Sequence, residues 1–253
     1  MRPLRPGISP PWIIAHRGVS QKFPENTLAA FDAAAALPID AMELDLQRSR
    51  DGKLVVFHDR TLGKLGAPRR RVAGMTLAQL KGLDAGAWFA PRFAGEPLAT
   101  LDEVLERYRG RMPLMLEVKR RGGDPASRVH REIAEETARE VVRQGLAQNT
   151  FILCFGLEIL ESAMAVAPNL KYVWNLEAPP ERLSSMKARI APLAALCCNV
   201  KNVTPGFVRT AHGWGKPVLC YTVNTPGVAR RALDIGVDGL ISDCPQDLME
   251  ALS

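Results

Sequence analysis

Four short stretches of the chain place carboxylate, imidazole and basic side chains at or near the ends of apolar runs. They are Ala15-His16-Arg17-Gly18, Glu43-Leu44-Asp45, Phe57-His58-Asp59 and Glu117-Val118-Lys119. Because strand side chains alternate between faces, Glu43 and Asp45 share one face of their strand, and the same holds for Glu117 and Lys119. Carboxylates within apolar strands are costly unless they are paired or bound to metal. Three of them without a neighbouring cysteine indicate a site for a hard cation, Mg²⁺ or Ca²⁺.

Each stretch also has an ordinary structural explanation when it is taken alone. A Glu-x-Asp pair often lies on the solvent face of an edge strand, His-Arg-Gly often marks a strand end, and Glu117 could simply pair with Lys119. Their joint occurrence at predicted strand ends favours a single site. By contrast, His130 and His212 fall within helical patterns, so we expect them at the surface. Asn26 stands at the start of a predicted helix, where either a capping or a substrate-binding role fits it.

The elements that must position these side chains alternate between strand-like runs and helical patterns. The predicted strands are Trp12–Ala15, Ala41–Leu46, Leu54–Phe57, Leu114–Val118, Thr150–Phe155, Lys171–Trp174, Leu193–Cys198, Pro217–Thr222 and Gly239–Ser242. The predicted helices are Asn26–Ala36, Thr76–Leu83, Pro125–Gln144, Leu157–Val166, Pro180–Ala188, Pro205–His212, Pro226–Ile235 and Pro245–Leu252. Such alternation predicts a parallel sheet with crossover helices.

One of these nine strands is predicted to be an arm outside a barrel. Residues 47–53 are too few for a parallel crossover, and their Asp51-Gly52 pair is a hairpin turn signal. We therefore expect the next strand to fold back antiparallel, with Asp45 opposite His58 to within about one residue. The remaining eight strands predict a distorted (β/α)₈ TIM-type barrel, one domain spanning the whole chain. Residues 61–97 form a predicted insertion after the second barrel strand, covering one end of the barrel without a separate core.

Composition narrows the class of protein. The 253 residues carry a net charge of +6 and are 47% hydrophobic and 24% charged, as in an ordinary soluble domain. With no apolar run of about eighteen residues and no apolar signal segment, we expect a cytoplasmic protein without a stable membrane anchor. The basic runs Arg69–Arg71 and Lys119–Arg121 lack aromatic neighbours, which argues against a nucleic-acid partner. The five cysteines lack metal-ligand spacing and are expected to be buried, reduced thiols.

A longer series of motifs runs from about Trp12 to Leu248. It consists of Ile14-Ala15-His16-Arg17-Gly18, Pro24-Glu25-Asn26-Thr27-Leu28, Met42-Glu43-Leu44-Asp45-Leu46, Val55-Val56-Phe57-His58-Asp59, Leu83-Asp84-Ala85-Gly86, Thr100-Leu101-Asp102-Glu103, Leu116-Glu117-Val118-Lys119, Tyr221-Thr222-Val223-Asn224 and Gly236-Val237-Asp238-Gly239-Leu240-Ile241-Ser242-Asp243. In this order and spacing the motifs resemble those of the glycerophosphodiester phosphodiesterase family, in its bacterial cytosolic type.

The resemblance implies a distorted barrel that hydrolyses glycerophosphodiesters to glycerol 3-phosphate and an alcohol. It implies that Glu43, Asp45 and Glu117 bind a divalent cation and that His16 and His58 form an acid/base pair. The short carboxylate set leaves coordination positions for water and substrate, which favours Mg²⁺ over Ca²⁺, and the expected cytoplasmic location agrees with this preference. The resemblance further implies that Arg17 and Lys119 contact the phosphate of a small-molecule substrate. An anionic substrate of this kind also gives the net positive charge a purpose.

The sequence departs from the family pattern at three places. Tyr221 replaces a Trp and is expected to line the mouth of the site, Cys154 replaces a Ser, and the basic stretch Gly63–Arg71 replaces an Arg-Thr-Thr run.

Two alternative functions stay open from the sequence. The first is a related phosphodiesterase of the same barrel acting on lysophospholipids or phosphoinositol. For a lysophospholipid enzyme, Trp88, Phe89 and Phe93 could form an apolar lid, although their simpler role is to pack the insertion onto the barrel. The second is a non-catalytic barrel that binds a phosphorylated ligand.

Overall fold

Eight parallel strands close into a barrel, and a ninth pairs outside it, in a computed structural model that describes residues 11–120 and 128–252. The strands are β1 Trp12–His16, β2 Ala41–Arg48, β3 Leu54–Val56, β4 Leu114–Val118, β5 Thr150–Cys154, β6 Lys171–Leu176, β7 Ala195–Asn199, β8 Val218–Tyr221 and β9 Gly239–Ser242. The barrel order is β1-β2-β4-β5-β6-β7-β8-β9, and β9 pairs in parallel with β1 to close it. The predicted TIM-type barrel is confirmed.

Helices connect most of these strands on the outside of the barrel. They are α1 Leu28–Ala35, α2 Leu77–Lys81, α3 Leu101–Arg107, α4 Arg128–Arg143, α5 Leu157–Val166, α6 Lys187–Ile190, α7 Pro205–Gly213, α8 Pro226–Asp234 and α9 Pro245–Leu252. The predicted helix Pro180–Ala188 is wrong, because a 3₁₀ turn over Leu183–Met186 and the single-turn α6 stand there instead. The first three residues of the predicted helix Pro125–Gln144, and Arg121 of the second basic run, lie outside the described residues.

The arm outside the barrel is the predicted hairpin. Strand β3 runs antiparallel to β2, with Leu46 paired to Val56 and Arg48 paired to Leu54. The Phe57 amide donates to the Asp45 carbonyl at 3.0 Å, one residue short of the predicted position opposite His58. The hairpin therefore brings the chain back to the barrel end at which β2 carries its carboxylates.

Alternation along the strands separates two apolar layers. Met42, Leu44 and Leu46 of β2 belong to the layer between barrel and helices, whereas Ala41 belongs to the cluster that fills the barrel interior. Glu43 and Asp45 follow Ala41 on the inner face, because strand side chains repeat every second residue. The part of the barrel interior near the N-terminal ends of the strands is thus apolar, and the acidic residues lie near the C-terminal ends of the strands.

Residues 61–97 and the hairpin strand share a third apolar cluster. It contains Val55, Phe57, Leu62, Leu65, Val72, Leu80, Ala85 and Leu98. This stretch therefore packs against the outward side chains of β3 and shares its apolar cluster with the hairpin.

Helix α3 is absent from the predicted helices, although its start carries a recognisable sequence signal. Thr100 accepts a hydrogen bond from the Glu103 amide, and the Glu103 carboxylate accepts one from the Thr100 amide. This reciprocal capping box satisfies two backbone donors that would otherwise lack partners, and Thr-x-x-Glu is its sequence signature.

Candidate active site

The C-terminal ends of the barrel strands surround a cavity of about 490 Å³. Seven of the eight predicted site residues line this cavity: His16, Arg17, Glu43, His58, Glu117, Lys119 and Tyr221. The eighth, Asp45, is buried beside them and contacts both Arg17 and Lys119. Residues from distant parts of the chain thus meet at the end of the barrel that carries the active sites of TIM-type enzymes.

Three buried carboxylates converge at this end of the barrel. Glu43, Asp45 and Glu117 come from the neighbouring strands β2 and β4, and each offers an oxygen within 4.8 Å of the other two. Burial, and after it the negative charges of Asp45 and Glu117, raises the pKa of Glu43 well above its usual range. The cluster is therefore stable in its ionised form only with positive charge beside it.

Arg17 and Lys119 supply part of that charge. Arg17 Nε lies 3.0 Å from Asp45 Oδ2, while Lys119 Nζ lies 3.1 Å from Asp45 Oδ1 and 2.6 Å from Glu117 Oε1. Burial acts to raise the pKa of Asp45, but the charges of Lys119 and Arg17 together outweigh it and hold that pKa well below its usual range. Two cations against three carboxylates leave one net negative charge when all five groups are ionised.

The oxygen atoms of the site that have no hydrogen-bond partner fit a divalent cation as ligands. Among the described residues, the buried Oε1 of Glu43 and Oδ1 of Asn175 have no hydrogen-bond partner. The Asn175 amide donates to Glu117 Oε2 at 3.0 Å, which fixes the orientation of that carboxylate. Oxygen ligands, unpartnered acceptors and a net negative charge match the requirements of Mg²⁺ and Ca²⁺.

Asp243 orients the His16 imidazole. His16 Nδ1 lies 2.6 Å from Asp243 Oδ1, and Ser20 and Asn224 also donate to this carboxylate. Burial acts to raise the pKa of Asp243, yet its bonds, first the one from His16, lower it to about 2. Because an ionised carboxylate can only accept, the His16 proton is on Nδ1, and Nε2 stands 4.0 Å from Glu43 Oε2.

His58 is oriented by the residue that follows it. Its Nδ1 lies 2.8 Å from Asp59 Oδ1, so the same argument places the proton on Nδ1 and leaves Nε2 as the acceptor. The Gln47 side chain on β2 donates to the carbonyls of Phe57 and Asp59 at 2.7 and 3.0 Å, which ties this turn to the barrel. Burial, the largest cause, lowers the pKa of His58 below its usual value.

The loop after β1 holds Arg17 and Asn26 in the left-handed backbone region, with φ of 56° and 60°. The Asn26 amide nitrogen Nδ2 donates to Asp45 Oδ2 at 2.7 Å, and the Asp45 backbone donates to Asn26 Oδ1 at 3.1 Å. The helix cap is Thr27, so the capping role considered for Asn26 is wrong. Asn26 instead fixes the position of a predicted metal ligand.

Four residues that contact the site received no role from the sequence: Glu25, Asp59, Asn175 and Asp243. Three of them lie inside the quoted motifs, but a motif does not state which charges meet in space. Asn175 lies in the part of β6 that extends beyond the predicted end at Trp174. Alternation along a longer β6 would have placed the Asn175 side chain inside the barrel, on the same face as Val173.

The insertion lies beside the cavity and does not cover it. None of residues 61–97, all of which the structure describes, lines the cavity, so the expected cover over the site is wrong. The Trp88 ring packs edge to face on Phe89, and Phe89 packs on Phe93, which also contacts Phe23. These aromatic side chains pack the insertion onto the first part of the chain instead of forming a lid.

The aromatic wall of the cavity comes from the other side of the barrel. Phe155 and Tyr221 line it with their ring centroids 5.9 Å apart, edge to face. The Tyr221 hydroxyl donates to the Leu176 carbonyl at 2.9 Å and to Glu177 Oε2 at 3.2 Å, which holds the ring at the mouth. Cys154 is fully buried and lies outside this wall, and burial raises its pKa to about 12.

A model of the glycerophosphoryl diester phosphodiesterase family matches residues 16–247, a range that contains every predicted site residue. The chain belongs to this family. The predicted resemblance, enzyme class and hydrolytic activity on glycerophosphodiesters are thereby confirmed for this phosphodiesterase.

Individual relatives agree with the family assignment. The phosphodiesterase is 32% identical over 241 residues to a glycerophosphodiester phosphodiesterase of Caldanaerobacter subterraneus subsp. tengcongensis, across 94% of this chain and 96% of the relative. A Bacillus subtilis glycerophosphodiester phosphodiesterase is 30% identical across 92% and 83% of the two chains. Among solved structures, an Oleispira antarctica phosphodiesterase in complex with the product sn-glycerol-3-phosphate is similar with a TM-score of 0.83, 30% identity and coverage of 96% and 97%.

The two histidines outside the site are less exposed than expected. His212 is half-buried, and its Nε2 lies 2.9 Å from the buried Asp238 carboxylate, so it connects α7 to the start of β9. His130 on α4 is also half-buried. All five cysteines are buried and reduced, as predicted. Across residues 11–120 and 128–252, no helix combines the length and apolarity needed to cross a membrane.

Proposed function

We propose that this phosphodiesterase hydrolyses its substrate with a divalent cation, Mg²⁺ in preference to Ca²⁺, held by Glu43, Asp45 and Glu117. The observation that carries the proposal is the buried three-carboxylate cluster with its unpartnered Glu43 oxygen. When bound, the cation would act as a Lewis acid toward the phosphate oxygens. A short protein ligand set leaves coordination positions for water and substrate, which favours Mg²⁺.

Arg17 and Lys119 would bind the phosphate. Attack on a phosphodiester builds negative charge on the equatorial oxygens, and preorganised cations stabilise that charge. Arg17 offers a planar guanidinium for paired contacts, whereas Lys119 offers a point charge. Because Asp45 lies between them, their spacing is set before substrate arrives.

His16 and His58 would transfer the protons. One ring, neutral before the reaction, accepts a proton on Nε2 from the attacking hydroxyl, and the other, protonated on both nitrogens, donates its Nε2 proton to the leaving alkoxide. In both rings the carboxylate partner on Nδ1 directs Nε2 to this work. The proposed mechanism therefore needs Asp243 and Asp59, which orient the two rings, as well as the rings themselves.

The C2 hydroxyl of the glycerol arm would be the first nucleophile, giving a cyclic phosphate that water then opens. An internal hydroxyl has a high effective molarity because it is tethered to the reacting phosphorus. A substrate whose C2 hydroxyl is replaced by hydrogen distinguishes this cyclic route from direct attack of water on phosphorus. Undiminished turnover of that analogue would exclude the cyclic route.

The test of the proposed function is metal-dependent release of glycerol 3-phosphate from glycerophosphoethanolamine, glycerophosphocholine and glycerophosphoglycerol. Protein stripped with EDTA should lose activity, and Mg²⁺ should restore more of it than Ca²⁺. Glu43→Gln should abolish the restoration, whereas Glu161→Gln, which removes a surface carboxylate paired with Arg189, should not. Full activity in protein shown by metal analysis to be metal-free would refute the proposal.

We further propose a cytoplasmic location and a small-molecule partner, with no role for nucleic acid. Five buried, reduced thiols suit a reducing compartment. Arg17 and Lys119 at the cavity both pair with carboxylates of the site, which suits a monoanionic substrate better than a polyanion.

A further inference from the structure

A continuous chain of charged side chains joins the insertion to the active site. It runs through Arg17, Glu25, Lys64, Asp59 and His58. Arg17 Nη1 lies 3.1 Å from Glu25 Oε2, and Glu25 Oε1 lies 2.9 Å from Lys64 Nζ. Lys64 Nζ then lies 3.2 Å from Asp59 Oδ2, and Asp59 Oδ1 lies 2.8 Å from His58 Nδ1. Both ends of this chain line the cavity.

Lys64 is the centre of the chain. Glu25 and Asp59 each use one oxygen for Lys64 and the other for a residue of the cavity, so the ammonium joins two separate arms. Burial acts to lower the pKa of Lys64, but its bonds and charge contacts with Glu25 and Asp59 outweigh that effect and raise it. The side chain therefore stays charged at neutral pH.

The backbone and a neighbouring ring restrict where this ammonium can go. Lys64 lies in a 3₁₀ turn over Gly63–Leu65, and Leu65 is buried in the apolar cluster of the insertion. The Trp88 ring centroid lies 4.8 Å from Nζ, within the range of a cation–π contact. The insertion thus presents one fixed positive charge to the edge of the site.

We propose that Lys64 is a positioning residue for hydrolysis, holding Asp59 against His58 and Glu25 against Arg17. The inference rests on the proposed function, in which His58 transfers a proton and Arg17 binds phosphate. Glu25, His58 and Asp59 have ligand atoms within 4.8 Å of one another, so without the ammonium the two carboxylates would face each other with no cation between them. Their repulsion would turn both side chains away from the groups they orient.

The substitution Lys64→Met tests the proposal because Met is an unbranched side chain of nearly the same length that carries no charge. We expect kcat/KM to fall by about 5- to 30-fold, a fold-change that lies within the range of coupling energies measured between residues of one ion-pair network. Lys64→Arg should recover most of the loss. Lys81→Met is the matched control, since Lys81 lies in the same insertion and pairs with Glu103 away from the cavity; it should leave kcat/KM unchanged.

A double-mutant cycle separates positioning from a merely structural role. If Lys64 acts through Asp59, Lys64→Met should cost much less in an Asp59→Asn background than in the wild type. Additive losses, or a Lys64→Met enzyme with wild-type kcat/KM, would overturn the inference. Absence of metal-dependent glycerol 3-phosphate release in the wild type would overturn the proposed function instead, so the two failures are distinguishable.

Discussion

Each reactive side chain in this site is oriented by a second polar residue, and that pairing sets the chemistry at the scale of single residues. His16 and His58 resemble one another in having an aspartate on Nδ1, although one aspartate is adjacent in sequence and the other comes from the last strand. A carboxylate partner fixes the tautomer and restricts rotation of the ring. In the proposed mechanism, the proton transfer by each histidine therefore depends on a residue that need not touch the substrate.

Removing the Asp243 charge should impair the enzyme through His16. In Asp243→Asn the ring can adopt the wrong tautomer, so we expect kcat to fall by about 10- to 100-fold, less than the roughly 10²- to 10⁴-fold that a positioned acid or base contributes in full. Steady-state kinetics with saturating metal would measure it. Asp247→Asn removes the exposed partner of Lys22 four residues further on and should leave kcat unchanged. A wild-type kcat in Asp243→Asn would remove Asp243 from the mechanism.

Asn175 should act on the metal site without binding phosphate. Its amide fixes Glu117, and the loss of such an outer partner typically weakens metal binding by about 10- to 100-fold. We therefore expect Asn175→Ala to need correspondingly more Mg²⁺ for half-maximal activity, with most of the activity returning at saturation. An unchanged Mg²⁺ requirement would show that Glu117 needs no partner.

At the scale of elements, the loops after β1 and β3 carry the positioning function, because they connect barrel strands to the residues that orient the catalytic groups. The β1 loop depends on close backbone approach. An added Cβ at Gly18 would lie 2.6 Å from the Ala30 carbonyl carbon, and the Gly18 φ is +81°.

Gly18→Ala should therefore damage both stability and activity. We expect the free energy of unfolding to fall by about 2–4 kcal/mol, since strain and a backbone clash act together, and kcat/KM to fall with it as Arg17 moves. Gly52→Ala is the matched control because its φ is +79° but nothing lies within 4 Å of the added Cβ; it should cost only about 1–2 kcal/mol. Chemical denaturation compares the two, and equal costs would contradict the clash.

A second element-scale contact links α1 to α3. Arg107 donates to both Asp32 oxygens at 2.9 and 2.6 Å, and these bonds hold the pKa of Asp32 below its usual value. A carboxyl with a depressed folded-state pKa stabilises the fold above its unfolded pKa of about 3.9, and this stabilisation disappears as the pH falls through the folded value.

Asp32→Asn should lower the free energy of unfolding by about 1 kcal/mol at pH 7, a value that allows for solvent screening of these half-exposed groups. The difference from the wild type should shrink below about pH 4, where the wild-type carboxyl also becomes neutral. Urea unfolding at pH 7 and pH 3 measures both quantities. A difference that stays constant with pH would assign the effect to packing rather than charge.

At the scale of the whole molecule, stability and function oppose each other in the carboxylate cluster. The barrel buries three acidic groups where its strands end, and burial raises the pKa of Glu43 because the ionised form is poorly solvated. A cation that binds the folded state and not the unfolded chain should stabilise the fold by mass action.

We expect saturating Mg²⁺ to raise the unfolding temperature of the wild type, with about 2.7 kcal/mol of added stability at a concentration 100 times Kd. Metal-free Glu43→Gln should be at least as stable as the metal-free wild type, because one buried charge is gone, but Mg²⁺ should no longer stabilise it. Thermal unfolding with and without EDTA compares the two proteins. A wild-type Mg²⁺ shift in Glu43→Gln would exclude Glu43 as a ligand.

Strand β2 and its hairpin show most clearly which structural features could be predicted from the sequence. Period-two alternation fixed the inner face for Glu43 and Asp45, and the short Asp51-Gly52 connection fixed β3 as antiparallel. Both are local properties of the chain, so they could be predicted. The predicted helix at Pro180–Ala188 failed because its connection packs as two short turns, a choice made by neighbouring elements rather than local propensity.

The amino-acid sequence by itself was enough to predict the barrel, the family and eight candidate site residues, since strand period, turn chemistry and motif order are properties of the chain itself. Only the tertiary structure decided which residues orient them. Three contacts join segments that no repeating pattern in the sequence relates to one another. They are Asp243 with His16, Asn26 with Asp45 and Lys64 with Asp59. Such contacts depend on loop paths and side-chain directions, which closure of the barrel sets after the strands have paired.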